Sequence, residues 1–287
     1  MDTLLRNVET DRDLAWERSV APQSKINEMR LLKSFTLTLA LLLMCCTSAN
    51  YFSKKIVEPV LEQAQIDPLQ QEKDDIFSLL IYALVYKDWQ DGSVPRNKRR
   101  GYNIGALLVN PQFEPAFHGL NCINSTDNAT QHGEVRAITQ YLEQTRKFNL
   151  EGYHVYTTLE PCIMCAGMMT MTAVKRLVYG QHDVDYSKAF ERLAMDTRPI
   201  GGFAPYPRRV VATASALEHG KKLDDAYKDF LSKDPEKVLA KFLASDPAEE
   251  IFKQADENFL GYNIKFPENQ TVYANALTYY HKNIKKE

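Results

Sequence analysis

The 287-residue chain has few cysteines, almost no net charge and no internal repeat. Five cysteines are too few to build a disulfide-stapled scaffold of this length. The 35 basic residues against 37 acidic ones leave a formal charge of −2, so the chain offers nucleic acid no general electrostatic attraction. With hydrophobic residues at 44% and charged residues at 25%, wholesale disorder is excluded. We therefore expect a globular protein whose cysteines serve a site.

One stretch, residues 34–53, has no charged residue at all. It is strongly apolar over SFTLTLALLLM, follows a basic segment and ends in small residues up to Ala49. This pattern predicts a signal peptide over 29–49, and hence an exported, periplasmic or secreted protein. Residues 1–28 are then a non-native upstream extension from a wrongly chosen start codon. The alternative is a single-pass membrane anchor, because a helix of about 20 uncharged residues can span a bilayer.

The remaining chain divides into three parts. Residues 50–74 are polar and uneven, which predicts a linker, with Asp74 or Asp75 capping the helix that follows. From 75 to 230, helical periodicity alternates with short β-branched and aromatic runs, which favours an α/β layer fold with a mixed sheet. The predicted strands are Tyr102–Asn110, Pro115–Asn121, His154–Leu159, Arg176–Gly180 and Arg209–Thr213. Residues 231–287 are predicted to form a helical C-terminal extension.

Two short motifs carry the chemistry, a His-x-Glu at 132–134 and a Pro-Cys-x-x-Cys at 161–165. A zinc ion that hydrolyses its substrate needs three protein ligands and one open position for water. His132, Cys162 and Cys165 supply those three ligands. Cysteines three residues apart on a helix share one face, and a helix N-terminus favours the thiolate form. The pattern therefore predicts a catalytic zinc centre.

Glu134 lies two residues after His132, close enough to reach a metal-bound water without being a ligand. The motifs match, in order, the H-x-E…P-C-x-x-C signature of zinc deaminases, in which the glutamate is the acid and base. Two other interpretations stay open. Cys162 and Cys165 could form a redox pair, which leaves His132 and Glu134 without a use. Alternatively, Cys122 could close a structural zinc site and so block catalysis.

The stretch TTLEPCIMCAGMM at 157–169 resembles the zinc motif of the bacterial tRNA-adenosine deaminase branch of the cytidine and deoxycytidylate deaminase superfamily. The similarity runs from about Ile76 to Phe230. It implies a three-layer α/β/α cytidine-deaminase-like sandwich with a five-stranded mixed sheet, a bound Zn2+ and a homodimer. It also implies that Asn121 contacts the substrate. Gly133 stands where that branch usually has alanine, which predicts a looser helix start.

We therefore expect a zinc-dependent hydrolase that releases ammonia from an aminated nucleobase, nucleoside or nucleotide. Adenosine-to-inosine deamination of tRNA is the alternative, although an exported protein would not meet tRNA and the helix around Ala226–Leu231 lacks an arginine-rich end. The basic run at 96–100 could hold phosphates or could be a solvated loop. A non-catalytic zinc-binding interaction protein is the other class. Membrane contact is expected only through an uncleaved N-terminal segment.

Overall fold

The computed structural model describes residues 66–284. The predicted upstream extension, the signal peptide or anchor and residues 50–65 of the predicted linker therefore lie outside the described residues. Between residues 66 and 284, no helix combines the length and the apolar character that a bilayer-spanning segment requires. Helices α1 to α8 in this part are Pro68–Tyr86, Gly133–Thr145, Ile163–Met171, Ala189–Ala194, Glu218–Lys233, Leu239–Phe242, Asp246–Leu260 and Gln270–Asn283.

Five strands form one mixed sheet. Strands β1 to β5 are Gly105–Val109, Pro115–Leu120, His154–Leu159, Arg176–Gln181 and Val211–Ala214. Their order across the sheet is β2-β1-β3-β4-β5, in which β1 runs antiparallel to both of its neighbours and β3, β4 and β5 run parallel. Strands β1 and β3 are buried along their whole length, which explains why both are apolar or β-branched without alternation. The five-stranded mixed sheet is confirmed.

Helices cover both faces of the sheet. Leu107 and Tyr156 point into a hydrophobic cluster with α1, α5, α7 and α8. The next residues along each register, Leu108 and Val155, point to the other face and pack against α2 and α3. Because successive side chains of a strand alternate between faces, the same two strands feed both clusters. The three-layer α/β/α sandwich is therefore confirmed.

The first helix starts earlier than the sequence indicates. We expected a linker up to residue 74, but α1 begins at Pro68, so residues 68–74 are helical. Proline is favoured at the first helical position, since its missing N–H would have no partner there. Asp74 does not cap a helix; it is buried inside α1. Glu72 is buried too, and it accepts hydrogen bonds from the backbone of Phe266 and the side-chain amide of Asn269.

The helical C-terminal extension is confirmed, and it shares the hydrophobic core of the sandwich. Helix α7 packs along α1 and against α5, and α8 packs on α1 and the edge strand β2. Phe252, Phe259 and Tyr280 of these helices are fully buried in the cluster that also contains Tyr156 of the sheet. Helix α1 therefore has the sheet on one side and the extension on the other.

A buried ion pair links the sheet to α1, and its removal should destabilise the fold. One nitrogen of the Arg176 guanidinium lies 2.6 and 2.5 Å from the two carboxylate oxygens of Asp74, and the hydroxyl of Tyr156 donates to Asp74 at 2.9 Å. Asp74→Ala leaves the arginine charge without its partner, so we expect the free energy of unfolding to fall by about 3 kcal/mol in urea denaturation. Asp229→Ala, which breaks an exposed pair with Lys233, is the matched control and should change stability far less. An equal effect of both variants would contradict this account.

The buried His154 predicts that the free energy of unfolding falls in acid. Burial lowers the pKa of His154 to about 4, assisted by the charges of Lys175, Arg176 and Lys73. Between pH 6.5 and 4 the unfolded chain binds a proton there that the folded chain does not, so stability falls as pH falls through this window. We expect His154→Gln to flatten the pH dependence of the unfolding free energy by on the order of 3 kcal/mol across it. Parallel pH profiles of wild type and variant would disprove this.

Candidate metal and active site

The predicted zinc ligands come together at the starts of two helices. His132 is the residue before α2, Cys162 is the residue before α3, and Cys165 lies in the first turn of α3. One ligand atom of each lies within 4.8 Å of the other two. The positive ends of two helix dipoles therefore face two thiols, which stabilises negative charge on sulfur.

The distances fit a tetrahedral zinc ion. The imidazole Nδ1 of His132 is 3.7 Å from the sulfur of Cys162 and 3.6 Å from that of Cys165, and the two sulfurs are 3.7 Å apart. Tetrahedral zinc with ordinary Zn–S and Zn–N bonds separates two sulfurs by about 3.8 Å and sulfur from nitrogen by about 3.6 Å. The protein therefore holds its three ligand atoms at zinc spacing, and Zn2+ is the cofactor that the site fits.

Hydrogen bonds among the three side chains hold protons whose place a divalent cation would take. Hydrogen bonds from Cys165 and His132 lower the pKa of Cys162 to about 4, although burial opposes this. The hydrogen bond to Cys162 and burial raise the pKa of Cys165 well above its ordinary value. The hydrogen bond with Cys162 also raises the pKa of His132. Both sulfurs and the imidazole must lose these protons when metal binds.

Cys122 does not take part in the group. It is buried and free, but it does not belong to the group of ligand atoms formed by the other three residues. Among residues 66–284 no further His, Cys, Asp or Glu joins that group. The interpretation of a structural zinc site closed by Cys122 is therefore wrong. Three protein ligands leave one coordination position for water, as catalytic zinc requires.

Glu134 lies beside the ligands, as predicted, in the first turn of α2. Its side chain is 3% exposed, and its Oε2 has no hydrogen-bond partner in the described part of the chain. Burial raises the pKa of this carboxyl group, while the charge of His132 lowers it. A buried carboxylate oxygen without a partner is costly unless a ligand or water satisfies it. Glu134 is thus placed to exchange a proton with a molecule at the metal.

Asn121, the predicted substrate contact, follows β2 and has a second role that the sequence did not reveal. Its side-chain Oδ1 accepts the backbone N–H of Tyr102 at 3.1 Å and that of Ile123 at 3.3 Å. Its Nδ2 forms no hydrogen bond with any residue from 66 to 284. Because the oxygen is committed to the protein, the orientation of the amide is fixed and its N–H groups remain as donors for a ligand.

The expectation of a loose helix start at Gly133 is corrected by the packing. A Cβ atom at Gly133 would lie 2.9 Å from the carbonyl oxygen of Gly119 and 3.2 Å from the backbone nitrogen of Ala106. A Cβ atom at Gly119 would lie 2.6 Å from the backbone nitrogen of Ala137. The two glycines therefore let the backbone of α2 lie directly on strands β1 and β2. Gly133 places His132 and Glu134 close to the sheet.

Glu160 and Asp183 are site residues that sequence analysis did not single out. Glu160 is buried next to the second motif, and its carboxylate accepts the backbone N–H of Lys188 at 2.8 Å and of Asp183 at 3.3 Å. These bonds tie the segment after β4 to Glu160, two residues before the ligand Cys162. The available signal was an acidic residue at the end of an otherwise buried strand.

The basic run at 96–100 is largely engaged within the protein. The guanidinium of Arg100 donates to Asp88 at 2.8 Å and to the carbonyl oxygen of Asn121. That of Arg99 donates to two carbonyl oxygens of its own loop. Arg100 is therefore a structural residue next to Asn121, and the run offers fewer free charges to phosphate than the sequence indicates.

Comparisons with known proteins agree with this geometry. Residues 92–181 match the family described as the cytidine and deoxycytidylate deaminase zinc-binding region. The chain is 30% identical over 128 residues to the tRNA-specific adenosine deaminase of Agrobacterium fabrum. The match covers 42% of this chain and 84% of that enzyme. It is 28% identical over 120 residues to the enzyme of the same name from Buchnera aphidicola, covering 42% and 74% of the two chains.

Other matches are shorter. The chain spans about half the length of several further curated tRNA-specific adenosine deaminases. A solved structure from work on A-to-I editing by tRNA:A34 deaminases is 28% identical, with a TM-score of 0.32, and the match covers 41% of this chain and 88% of that one.

The ligand assignment predicts which cysteine holds the metal. Cys165→Ser replaces a thiolate with a poor zinc ligand, so zinc content measured by elemental analysis should fall from one ion per chain to well below one at micromolar protein. Cys122→Ser is the matched control, since it alters another buried cysteine outside the ligand group, and it should keep its zinc. Equal zinc content in the two variants would refute the ligand set.

Proposed function

This chain belongs to the cytidine and deoxycytidylate deaminase superfamily, and on that premise we propose that it is a zinc-dependent hydrolytic deaminase of an aminated nucleobase, nucleoside or nucleotide. The observation that carries this proposal is the buried Glu134 carboxylate with an unpartnered oxygen beside three zinc ligands. A structural zinc site has no use for such a group. A hydrolase needs it to move protons.

In the proposed reaction, water adds to the amidine carbon of the base, the carbon–nitrogen bond breaks and ammonia leaves. Zinc, when held by His132, Cys162 and Cys165, supplies the Lewis acidity that makes water a nucleophile at neutral pH. Glu134 accepts the proton that the water loses and donates it to the ring nitrogen. It then carries a second proton to the departing amine. Its burial, which raises its pKa, favours the protonated form that each donation needs.

Asn121 orients the substrate in this scheme. Its Oδ1 is held by two backbone N–H groups, so its Nδ2 presents donors of fixed direction to an acceptor on the base or sugar. Glu160 has a supporting role, because its carboxylate is used up in holding the backbone of Asp183 and Lys188 next to the second motif. Glu134, Asn121 and Glu160 thus have separate roles: proton transfer, substrate orientation and structural support.

A small-molecule substrate is supported by the charge balance and by the engaged basic loop. The formal charge of −2 gives no general attraction to RNA, and Arg100 is committed to Asp88 and Asn121. Adenosine in tRNA is the second candidate, because the curated relatives named above are tRNA-specific adenosine deaminases. Export to the periplasm or the outside, which the N-terminal sequence predicts, favours the first candidate. A membrane anchor is the alternative form of that proposal.

A homodimer is also part of the proposal. Ile163 and Met171 of α3 are 48% and 55% exposed, and they lie on the same helix face as Gly167. A side chain added at Gly167 would meet no atom within 4 Å. An exposed apolar face that is open at a glycine favours close contact with the same face of a second copy.

The proton-transfer role of Glu134 gives the decisive test of function. Glu134→Gln keeps the size of the side chain but removes its ability to accept a proton, so zinc content should stay at one ion per chain while ammonia release falls by about 10³-fold or more. Glu143→Gln on the exposed side of the same helix is the matched control and should keep full turnover. Activity of the Glu134 variant within tenfold of wild type would exclude the proposed mechanism.

The same assay separates the candidate substrates. Zinc-loaded protein is offered a panel of aminated bases, nucleosides and nucleotides, and in parallel an adenosine-containing tRNA whose inosine product is read by sequencing. Turnover on the panel alone supports the small-molecule proposal, and inosine in tRNA alone supports the alternative. No turnover on either, with zinc bound, would favour a non-catalytic zinc protein.

A further inference from the structure

The C-terminal extension contacts the loop that leads into β1 and that hydrogen-bonds to Asn121. This loop, residues 87–104, joins α1 to β1 and has only one short 3-10 turn, Arg96–Lys98. Asn103, near its end, is 1% exposed. The side-chain Nδ2 of Asn103 donates to the carbonyl oxygen of Leu243, just after α6, at 2.8 Å and to that of Gln90 at 3.0 Å. Its Oδ1 accepts the backbone N–H of Gln90 at 3.0 Å.

The hydrogen bonds continue from this point to Asn121. The side-chain oxygen of Gln90 accepts the backbone N–H of Arg100 at 2.8 Å. The Arg100 guanidinium donates to the carbonyl oxygen of Asn121. The backbone N–H of Tyr102 donates to the side-chain oxygen of Asn121. These hydrogen bonds link the extension, by way of residues Asn103, Gln90 and Arg100, to the backbone of Asn121, and Tyr102, the chain neighbour of Asn103, binds the side chain of Asn121.

The loop and the extension also pack directly against each other. A Cβ atom at Gly92 would lie 2.6 Å from the carbonyl oxygen of Ala244, so the loop backbone lies directly on the end of the extension's first helix. The ring centroids of Trp89, in the loop, and Phe252, on α7, are 5.2 Å apart. A loop with little regular structure is costly to order, and here the extension supplies the burial that offsets this cost.

We propose that Asn103 is a positioning residue for the substrate and that the C-terminal extension acts through it to fix the orientation of Asn121. The inference rests on the proposed function, in which Asn121 binds the substrate. The extension thus belongs to the substrate site, although it contributes neither a metal ligand nor the proton-transfer group. Loss of the hydrogen bonds that Asn103 donates should weaken substrate binding more than it slows the chemical step.

The test is Asn103→Asp in the full-length protein loaded with zinc. Aspartate keeps an acceptor for the Gln90 N–H but loses both donated bonds. We expect KM for the substrate found in the panel to rise about tenfold and kcat to change less than threefold, with zinc content unchanged. Asn110→Asp, in the exposed turn between β1 and β2, is the matched control and should change neither constant.

Hydrogen exchange provides a readout that does not depend on turnover. The backbone N–H groups of Tyr102 and Ile123 both donate to Oδ1 of Asn121, so their exchange rates report how firmly this side chain is held. Asn103→Asp should speed exchange at both positions by about tenfold or more, while amides in the middle of α3 stay unchanged. Gln90→Met, which removes the next acceptor in the path, should act in the same direction and serves if the aspartate variant fails to fold.

Three outcomes would overturn the inference. The first is unchanged exchange at Ile123, and the second is a KM that stays within twofold of wild type. The third is a fall in kcat alone with KM constant, which would indicate a general loss of structure. If wild-type protein releases no ammonia from any compound, the proposed function fails and the exchange rates at Tyr102 and Ile123 still decide whether the extension holds Asn121.

Discussion

The backbone contact between α2 and the sheet is the constraint on which the site depends. Gly119 on β2 and Gly133 at the start of α2 have no side chains at the point where the two backbones meet. The helix start is therefore held against strands β1 and β2, and with it His132 and Glu134 on either side of Gly133. A side chain at Gly119 would meet the backbone of α2 and push the helix start off the sheet, and ligand spacing tolerates only a few tenths of an ångström.

Burial and helix dipoles oppose each other around this contact. The N-terminus of α3 favours an ionised thiol, whereas the hydrogen bond to Cys162 and burial oppose ionisation of Cys165, and burial opposes that of Glu134. A divalent cation between them offsets the charge of both thiolates, and the single carboxylate then controls the proton balance of the site. The buried Oε2 of Glu134 has no hydrogen-bond partner among residues 66–284, and a molecule bound at the metal would supply one.

The parts of this structure that depend on local spacing could be predicted from the sequence. The two cysteines lie one helical turn apart, and His132 and Glu134 share one helix start, so each half of the site follows from local spacing. The known order of the two motifs in zinc deaminases joins the halves. The strands were recognisable for the same reason. The start of α1 was not, because Glu72 and Asp74 look like capping or linker residues until their partners are known. Those partners, Asn269 and Arg176, lie more than 100 residues away in the chain.

The hydrogen bonds that hold Asn121 show why contacts between residues distant in the sequence determine the geometry of the site. Nothing in the sequence around Asn103 marks it, since a single asparagine in a polar loop usually faces solvent. In the fold its side chain bonds three backbone groups, the N–H and C=O of Gln90 and the C=O of Leu243. A loop without strand or helix pairing leaves backbone groups that side chains can satisfy. Asn103, Gln90 and Asn121 do so here, and the same bonds that make the loop stable also fix the direction of the amide offered to the substrate.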